Sequence, residues 1–80
     1  MYYVYILKSE KDSSYYVGFA EDAQKRLQRH NSGGARYTQN RGPWKLVYTE
    51  EYSDRGSAMM REKEIKSWKS RKSIEELLNK

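Results

Sequence analysis

Residues 2–7 form an unbroken run of aromatic, β-branched and aliphatic side chains. Such residues favour β-strands, and successive side chains of a strand point to opposite faces of its sheet. Both faces of this strand are therefore apolar, so that each face needs a cover. The run predicts a central strand in a sheet that has helices packed on both sides.

A second apolar run follows a polar stretch, and the two runs together predict a β-hairpin. A turn centred on residues 10 and 11 places Tyr5 directly opposite Tyr16, on the same face of the sheet. In that register Gly18 lies opposite Tyr3 and leaves one side of the pair of phenols without a side chain. We expect this gap to suit a substrate phosphate.

The next segment predicts a helix and then a long loop. Glu21 or Asp22 can cap a helix that runs to about His30, where glycine and asparagine residues provide a stop signal. Residues 31–43 show no periodicity, and a loop of this length in so small a domain is more often functional than idle.

The remaining residues predict one more strand and two more helices. Residues 44–52 alternate between apolar and polar residues, as a strand does. A second helix continues to about Trp68. It begins at one of three capping residues: Ser53, Asp54 or Ser57. Ser73 and Glu76 have the spacing of a capping box for a last helix that ends near Leu78. The order ββα, loop, βαα predicts an α+β fold, a three-stranded antiparallel sheet flanked by helices, in one domain over residues 1–80.

Arg26 and His30 lie on the apolar stripe of the first predicted helix. At about 100° per residue, both fall within one arc with Ala23 and Leu27. A charged group on a core-facing stripe needs an anion or a carboxylate nearby, unless its long stem carries the charge out to solvent. A substrate phosphate would be such an anion, and a salt bridge to an acidic residue is the structural alternative.

Glu62 shows the same pattern with opposite charge on the second helix. It falls close to the stripe of Ala58 and Ile65, about 40° from Ala58. Its partner can be Arg26, Lys66 one turn further on, or a divalent metal ion. A Glu62–Lys66 pair is also a common helix-stabilising contact.

Charge and composition limit the class of protein. The 80 residues include 16 Lys and Arg against 11 Asp and Glu, which gives a net charge of +5, and the basic balance is typical of nucleic-acid binders. The absence of cysteine and of a long apolar N-terminal stretch predicts a cytoplasmic protein without a disulfide framework or membrane segment.

The ordered set of residues resembles the GIY-YIG nuclease superfamily over essentially the whole chain, and most of all its small single-domain bacterial branch. Tyr3-Val4-Tyr5 and Tyr16-Val17-Gly18 correspond to the two tyrosine strings of that family. Arg26, His30 and Glu62 correspond to its helix arginine, the histidine one turn later and the metal-binding glutamate.

Some positions depart from the family pattern. Tyr3 replaces the leading glycine of the first string, and Val17 replaces isoleucine in the second. A late asparagine of many members has no clear counterpart, because Asn79 lies at a terminus that tends to fray. Lys8 corresponds to a lysine of the repair-incision branch, but its position in the strand turns it to the face opposite Tyr5.

The resemblance implies phosphodiester hydrolysis assisted by a single Mg²⁺ or Mn²⁺ ion. Glu62 would hold the metal, and Arg26 would bind the non-bridging oxygens of the phosphate. Tyr5 is expected to receive the proton of the attacking water, Tyr16 to order the water or a phosphate oxygen, and His30 to polarise one of the phenols. DNA is the expected substrate, although the residues themselves do not separate DNA from RNA.

Four basic residues are predicted to contact nucleic acid: Arg36, Arg41, Lys45 and Lys66. Two other interpretations stay open. One is a nucleic-acid-binding module of the same fold without hydrolysis, and the other is a protein-interaction domain. We expect no separate recognition domain in a chain this short, so a protein partner or a special DNA structure would supply targeting. No pattern predicts an oligomer.

Overall fold

The protein folds as a three-stranded antiparallel sheet with three helices, in a computed structural model that describes residues 1–33, 42–68 and 70–79. The elements are β1 (Tyr2–Ser9), β2 (Tyr15–Ala20), α1 (Ala23–Asn31), β3 (Trp44–Tyr52), α2 (Arg55–Ser67) and α3 (Arg71–Leu78). The strand order is β2-β1-β3. The predicted α+β class and the order ββα, loop, βαα are confirmed.

β1 is the central strand, and residues 4–7 of it are at most 1% exposed. On one face it packs against Ala58 and Ile65 of α2, together with α3. On the other face it packs against Ala23 of α1 and against Trp44. Each buried aliphatic side chain contributes about 1.5–3 kcal/mol. The sheet is therefore covered on both faces, as the apolar run predicted.

The register of the β1–β2 hairpin differs from the prediction by two residues. Tyr5 pairs with Gly18, and Tyr16 pairs with Leu7. The expected pairs, Tyr5 with Tyr16 and Gly18 with Tyr3, are wrong. Because side chains alternate with a period of two, a shift of two residues keeps each residue on its predicted face. The two phenols therefore still share one face, as diagonal neighbours.

The turn explains the shift, because it is centred between Lys11 and Asp12, one residue later than expected. The Ser9 hydroxyl accepts hydrogen bonds from the backbone N–H groups of Lys11, at 3.1 Å, and Asp12, at 3.2 Å. Ser13 adopts a left-handed conformation with φ 63°, and Ser9 N–H bonds to Ser14 O at 2.8 Å. Ser9 is 1% exposed, so the strand continues through it before the chain turns.

Capping side chains define where each helix begins. Asp22 caps α1 and Asp54 caps α2, each by accepting a backbone N–H from three residues further on. The expected start of α3 at Ser73 is wrong, because the N-cap is Ser70 and its hydroxyl accepts the Ser73 N–H at 3.4 Å. A serine three residues before another serine offers the same cap chemistry one turn earlier.

An ion pair fixes α2 against β3. Arg61 Nε lies 2.9 Å from Glu50 Oε1, and the hydroxyls of Tyr48 and Tyr52 donate to the same carboxylate. Burial alone would raise the pKa of Glu50, but these hydrogen bonds lower it to about 2. Burial and the bond to Glu50 raise the pKa of Tyr48 to about 12. Since Arg61 precedes Glu62, the pair also sets the rotation of α2 that directs Glu62.

The loop predicted at residues 31–43 is described only in part. Arg36 and Arg41 lie outside the described residues. In the part of the chain that is described, no helix combines the length and apolar character needed to cross a membrane.

Candidate active site

A cleft of about 710 Å³ lies at the β2 edge of the sheet, between α1 and α2. It brings together four of the predicted site residues: Tyr5, Tyr16, Arg26 and Glu62. The expectation that these side chains converge over a single face of the sheet is wrong. Because α1 and α2 pack on opposite faces, the side chains meet around the edge of the sheet. The edge strand β2 is short, so side chains from both layers reach the same opening.

Tyr5 forms the floor of the cleft and contacts His30. It is 1% exposed, and its Oη lies 3.1 Å from His30 Nε2. A Cβ atom added at Gly18 would lie 2.5 Å from this hydroxyl oxygen. The gap at Gly18 is therefore filled by the Tyr5 ring, and the expectation that it receives a phosphate is wrong. Only glycine at position 18 lets the phenol lie across β2.

Tyr16 and His30 complete a cluster of rings around Tyr5. The ring centroids of Tyr16 and His30 are 4.7 Å apart, and those of Tyr5 and Tyr16 are 6.3 Å apart. Trp44 packs edge-on against Tyr16 at 6.4 Å. Tilted and edge-on contacts at these distances are favourable for aromatic rings. The cluster therefore limits rotation of the groups that carry ionisable protons.

Burial and local charge control protonation within this cluster. Burial raises the pKa of Tyr5 well above its usual value, Tyr16 raises it further, and the Arg26 charge and hydrogen bond lower it in part. Burial, followed by the positive charges of Arg26 and Arg29, lowers the pKa of His30. At neutral pH the phenol is therefore protonated and the imidazole is neutral, so His30 Nε2 can accept the Tyr5 proton.

Arg26 presents an unneutralised positive charge to the cleft. It is half-buried on α1, and its positive charge acts on the Tyr5 hydroxyl and lowers the pKa of that group in part. Among the described residues, Arg26 forms no salt bridge with a carboxylate. A partly desolvated guanidinium without a carboxylate partner can bind an anion in fork geometry.

Glu62 faces the cleft from α2. Its side chain is 15% exposed, whereas that of Glu64 is 56% exposed. Its carboxylate lies 3.3 Å from Lys66 Nζ and raises the pKa of Tyr5 through its charge. Of the three partners considered for Glu62, the structure shows Lys66. At 3.3 Å this ion pair is longer than a strong one, so another cation can replace Lys66.

Sequence reasoning missed several cations that line the cleft. Lys25 and Arg29 of α1 are exposed and stand at the mouth of the cleft. Arg55, at the start of α2, lies 5.6 Å from the centre of the Phe19 ring. Exposed basic residues give no periodic signal, so only the placement of both helices at one edge identifies them.

Residues 1–75 match the sequence profile of the GIY-YIG catalytic domain. The chain belongs to the GIY-YIG family. It is 45% identical over 74 residues to a UPF0213 protein of Staphylococcus saprophyticus, which covers 91% of this chain and 89% of the relative. A UPF0213 protein of Clostridium perfringens is 51% identical over 67 residues, or 82% of this chain and 71% of the relative.

A solved structure has the same fold. The solution NMR structure of a UPF0213 protein from Bacillus halodurans matches with a TM-score of 0.62 and 42% identity, over 99% of this chain and 84% of that one. GIY-YIG domains are nuclease domains and generally use divalent metal ions. Membership therefore points to nuclease activity in general.

The donor set of this GIY-YIG chain fits a hydrated metal ion. No group of three or more metal-binding side chains occurs among the described residues. Mg²⁺ nevertheless binds commonly through one or two carboxylates, with waters and substrate phosphates as the other ligands. Glu62 supplies one carboxylate that is largely sheltered yet open to the cleft. A site that depends on the substrate for further oxygen ligands is consistent with this arrangement.

The lysine that matches the repair-incision branch, one predicted nucleic-acid contact and the asparagine near the C-terminus lie away from the cleft. Lys8 places its ammonium 5.8 Å from the centre of the Tyr15 ring. Lys45 pairs with Lys8 across β1 and β3 and is exposed. Asn79 follows α3, where its N–H bonds to carbonyl oxygens of the last turn. None of these three side chains lines the cleft.

Proposed function

We propose that this GIY-YIG protein is a metal-dependent endonuclease that hydrolyses phosphodiester bonds, with DNA as substrate and Mg²⁺ or Mn²⁺ as the ion. The observation that supports this most strongly is the meeting of Arg26, Glu62, Tyr5 and Tyr16 in one cleft, with His30 bonded to Tyr5. These groups provide a phosphate ligand, a metal ligand and a route for a proton.

Arg26 binds the scissile phosphate. Its guanidinium offers donors in a planar fork, which matches two non-bridging oxygens of a phosphate. Lys25, Arg29 and Arg55 surround the opening and attract the polyanion without selecting its sequence. These three residues, the basic rim, thus bring the nucleic-acid strand to the cleft, and Arg26 orients one of its phosphates there.

Glu62 holds the metal ion, with Lys66 as its neighbour when no metal is bound. A bound divalent ion supplies Lewis-acid stabilisation of the phosphate and of the departing oxygen. Glu62 contributes the fixed negative charge that keeps such an ion on the α2 side of the cleft.

Tyr5 and His30 handle the proton of the attacking water as a pair. Tyr5 cannot rest as a phenolate at neutral pH, because burial raises its pKa. It can take a proton only as its own proton passes to neutral His30 Nε2, 3.1 Å away. Tyr16, beside both rings, orders the water or a phosphate oxygen. The catalytic base is therefore the Tyr5–His30 pair, not either residue alone.

Cleavage assays test this function directly. Branched, nicked and plain duplex DNA are incubated with Mg²⁺ or Mn²⁺ and with wild type, Glu62→Gln, Tyr5→Phe or the control Glu64→Gln. We expect the first two variants to lose about 10² to 10³ in rate, with unchanged unfolding curves for Glu62→Gln. The exposed Glu64 should tolerate its change. If both Glu62→Gln and Tyr5→Phe cleave DNA at the wild-type rate, the assignment is disproved.

The strong burial of Tyr5 supports a second candidate, a nucleic-acid-binding module of the same fold without hydrolysis. It would use the same basic rim but no proton transfer. Affinity that falls steeply with salt, together with no cleavage in either metal, would favour this alternative.

A further inference from the structure

A second groove, of about 470 Å³, continues from the cleft on the other side of Tyr16. We call it the β2–α3 groove. It is lined by Tyr15, Tyr16, Val17, Ile65, Lys66 and Ile74. Its walls are mainly apolar and come from β2, α2 and α3. Because Tyr16 and the Glu62–Lys66 pair connect both spaces, a ligand that fills the cleft can extend into this groove.

Three cations from three elements lie over the two tyrosine rings of the groove, and one of them, Lys66, also lines it. Lys66 of α2 lies 5.7 Å from the centre of the Tyr16 ring. Arg71 of α3 and Lys8 of β1 lie 4.9 Å and 5.8 Å from the centre of the Tyr15 ring. The tyrosine faces thus hold these positive charges over an apolar floor.

Arg71 is also held in place from two directions. Its Nη1 donates to the Ser13 carbonyl at 2.6 Å, and its Nε lies 3.3 Å from Glu75. The hairpin turn therefore positions a side chain of α3 at the far end of the groove. A cation held in this way loses less conformational entropy when it binds an anion.

An apolar floor bordered by positive charges matches an unpaired nucleotide. The base requires an apolar, aromatic-lined surface, and the phosphates on either side require cations. Tyr15 lies three residues from Gly18 along β2, about 10 Å at about 3.3 Å per residue. The Tyr15 end of the groove is therefore about this far along the strand from Gly18, where the Tyr5 hydroxyl lies. In a paired duplex the bases stack inside the helix and cannot enter such a groove.

We propose that the β2–α3 groove binds an unpaired stretch of the substrate strand, next to the scissile phosphate. Lys8 and Arg71 contact its phosphates, and a base lies against Val17 and Ile74. This proposal rests on the proposed function, because the groove is an extension of the cleft. It makes the protein selective for strands that are single or splayed beside the cut.

Binding is tested with Arg71→Ala and Lys8→Ala, and with Lys63→Ala as a matched control. Lys63 is exposed on α2, lines neither groove nor cleft and, unlike Lys8 and Arg71, does not lie over the Tyr15 ring, so the control removes the same charge elsewhere. Anisotropy titrations of single-stranded and duplex DNA are run without metal at several salt concentrations. We expect each groove variant to lower the salt slope for single strands by about 0.7, the value for one lost phosphate contact. Lys63→Ala should keep the wild-type slope.

Cleavage gives the second measurement. Wild type should cut a splayed duplex faster than a fully paired one, and Arg71→Ala and Lys8→Ala should bring this ratio toward one. Salt slopes and ratios equal to those of Lys63→Ala would overturn the groove assignment. If wild type cleaves nothing, the proposed function fails, and the binding slopes still decide the groove. If Arg71→Ala disturbs the fold, as thermal melting would reveal, Lys8→Ala decides the result.

Discussion

Gly18→Ala is the sharpest test of how the site is built, because it changes the floor of the cleft without removing any functional group. The new Cβ would lie 2.5 Å from Tyr5 Oη and 2.7 Å from Tyr5 Cζ, whereas ordinary contacts begin at 3.4 Å. The hydroxyl must therefore move by about 0.9 Å. Tyr5 is 1% exposed and packs against the rings of Tyr16 and His30, so this movement disturbs the ring cluster. The 3.1 Å bond to His30 cannot absorb this movement.

The expected cost has two parts. Overpacking of a core costs about 1–3 kcal/mol, and the loss of a buried hydrogen bond costs about 1 kcal/mol. We therefore expect the free energy of unfolding to fall by about 2–4 kcal/mol. Misplacement of a catalytic group by about 1 Å lowers the rate by about 10²-fold. Both effects arise from one methyl group.

Urea unfolding followed by circular dichroism measures the first effect, and metal-dependent DNA cleavage measures the second. Gly56→Ala is the matched control. Its Cβ would lie 3.3 Å from Oδ1 of Asp54, the exposed cap of α2, which needs to give by only about 0.1 Å, and alanine favours the helix. It should leave activity unchanged and stability equal or higher. A Gly18→Ala protein that is as stable and active as Gly56→Ala would refute the placement of Tyr5 across Gly18.

Three further outcomes are expected. Glu50→Gln should lower the free energy of unfolding, measured in urea at pH 7, by about 2 kcal/mol, against about 0.5 kcal/mol for exposed Glu64→Gln. Because the pKa of Glu50 is lowered in the fold, this loss should shrink as the pH falls from 4.5 to 2 and the carboxylate becomes protonated. A difference that is independent of pH would contradict this. The cleavage rate should fall on the acid side only below 6.5, because burial lowers the pKa of His30; His30→Gln should be slower and lose this limb of the pH–rate profile. Arg26→Lys should cut kcat about 10²-fold with less effect on binding, and full activity would exclude fork binding.

The hairpin illustrates what the sequence alone can and cannot predict. Two apolar runs identify the strands, and alternation identifies the face of each residue. The turn between them is polar throughout, so its centre depends on which hydroxyl accepts the backbone N–H groups. Ser9 does so from a buried position, which the pattern of residue types does not reveal. The predicted pairing was wrong, but the predicted face of Tyr5 and Tyr16 was right, because the register differs by two residues and side chains alternate with a period of two.

Helical spacing was more reliable than strand register. The geometry of about 100° per residue is local, so the inward direction of Arg26 and Glu62 followed from sequence positions alone. The location of the cleft did not follow, because strand order is a tertiary property. β2 is an edge strand, and this decides that exposed Arg55 and Lys25 face the same opening.

The sheet edge resolves a conflict between packing and charge. Arg26 and Glu62 lie on the apolar stripes of helices that cover opposite faces, where a central position would bury each charge at high cost. Beside the short edge strand β2, both side chains extend past the sheet into the cleft. They do not form a salt bridge with each other, since Glu62 pairs with Lys66. If they did, the cleft would be closed to ions. Held apart, both side chains face the cleft, and in the proposed function Arg26 binds the phosphate while a metal ion takes the place of Lys66 beside Glu62.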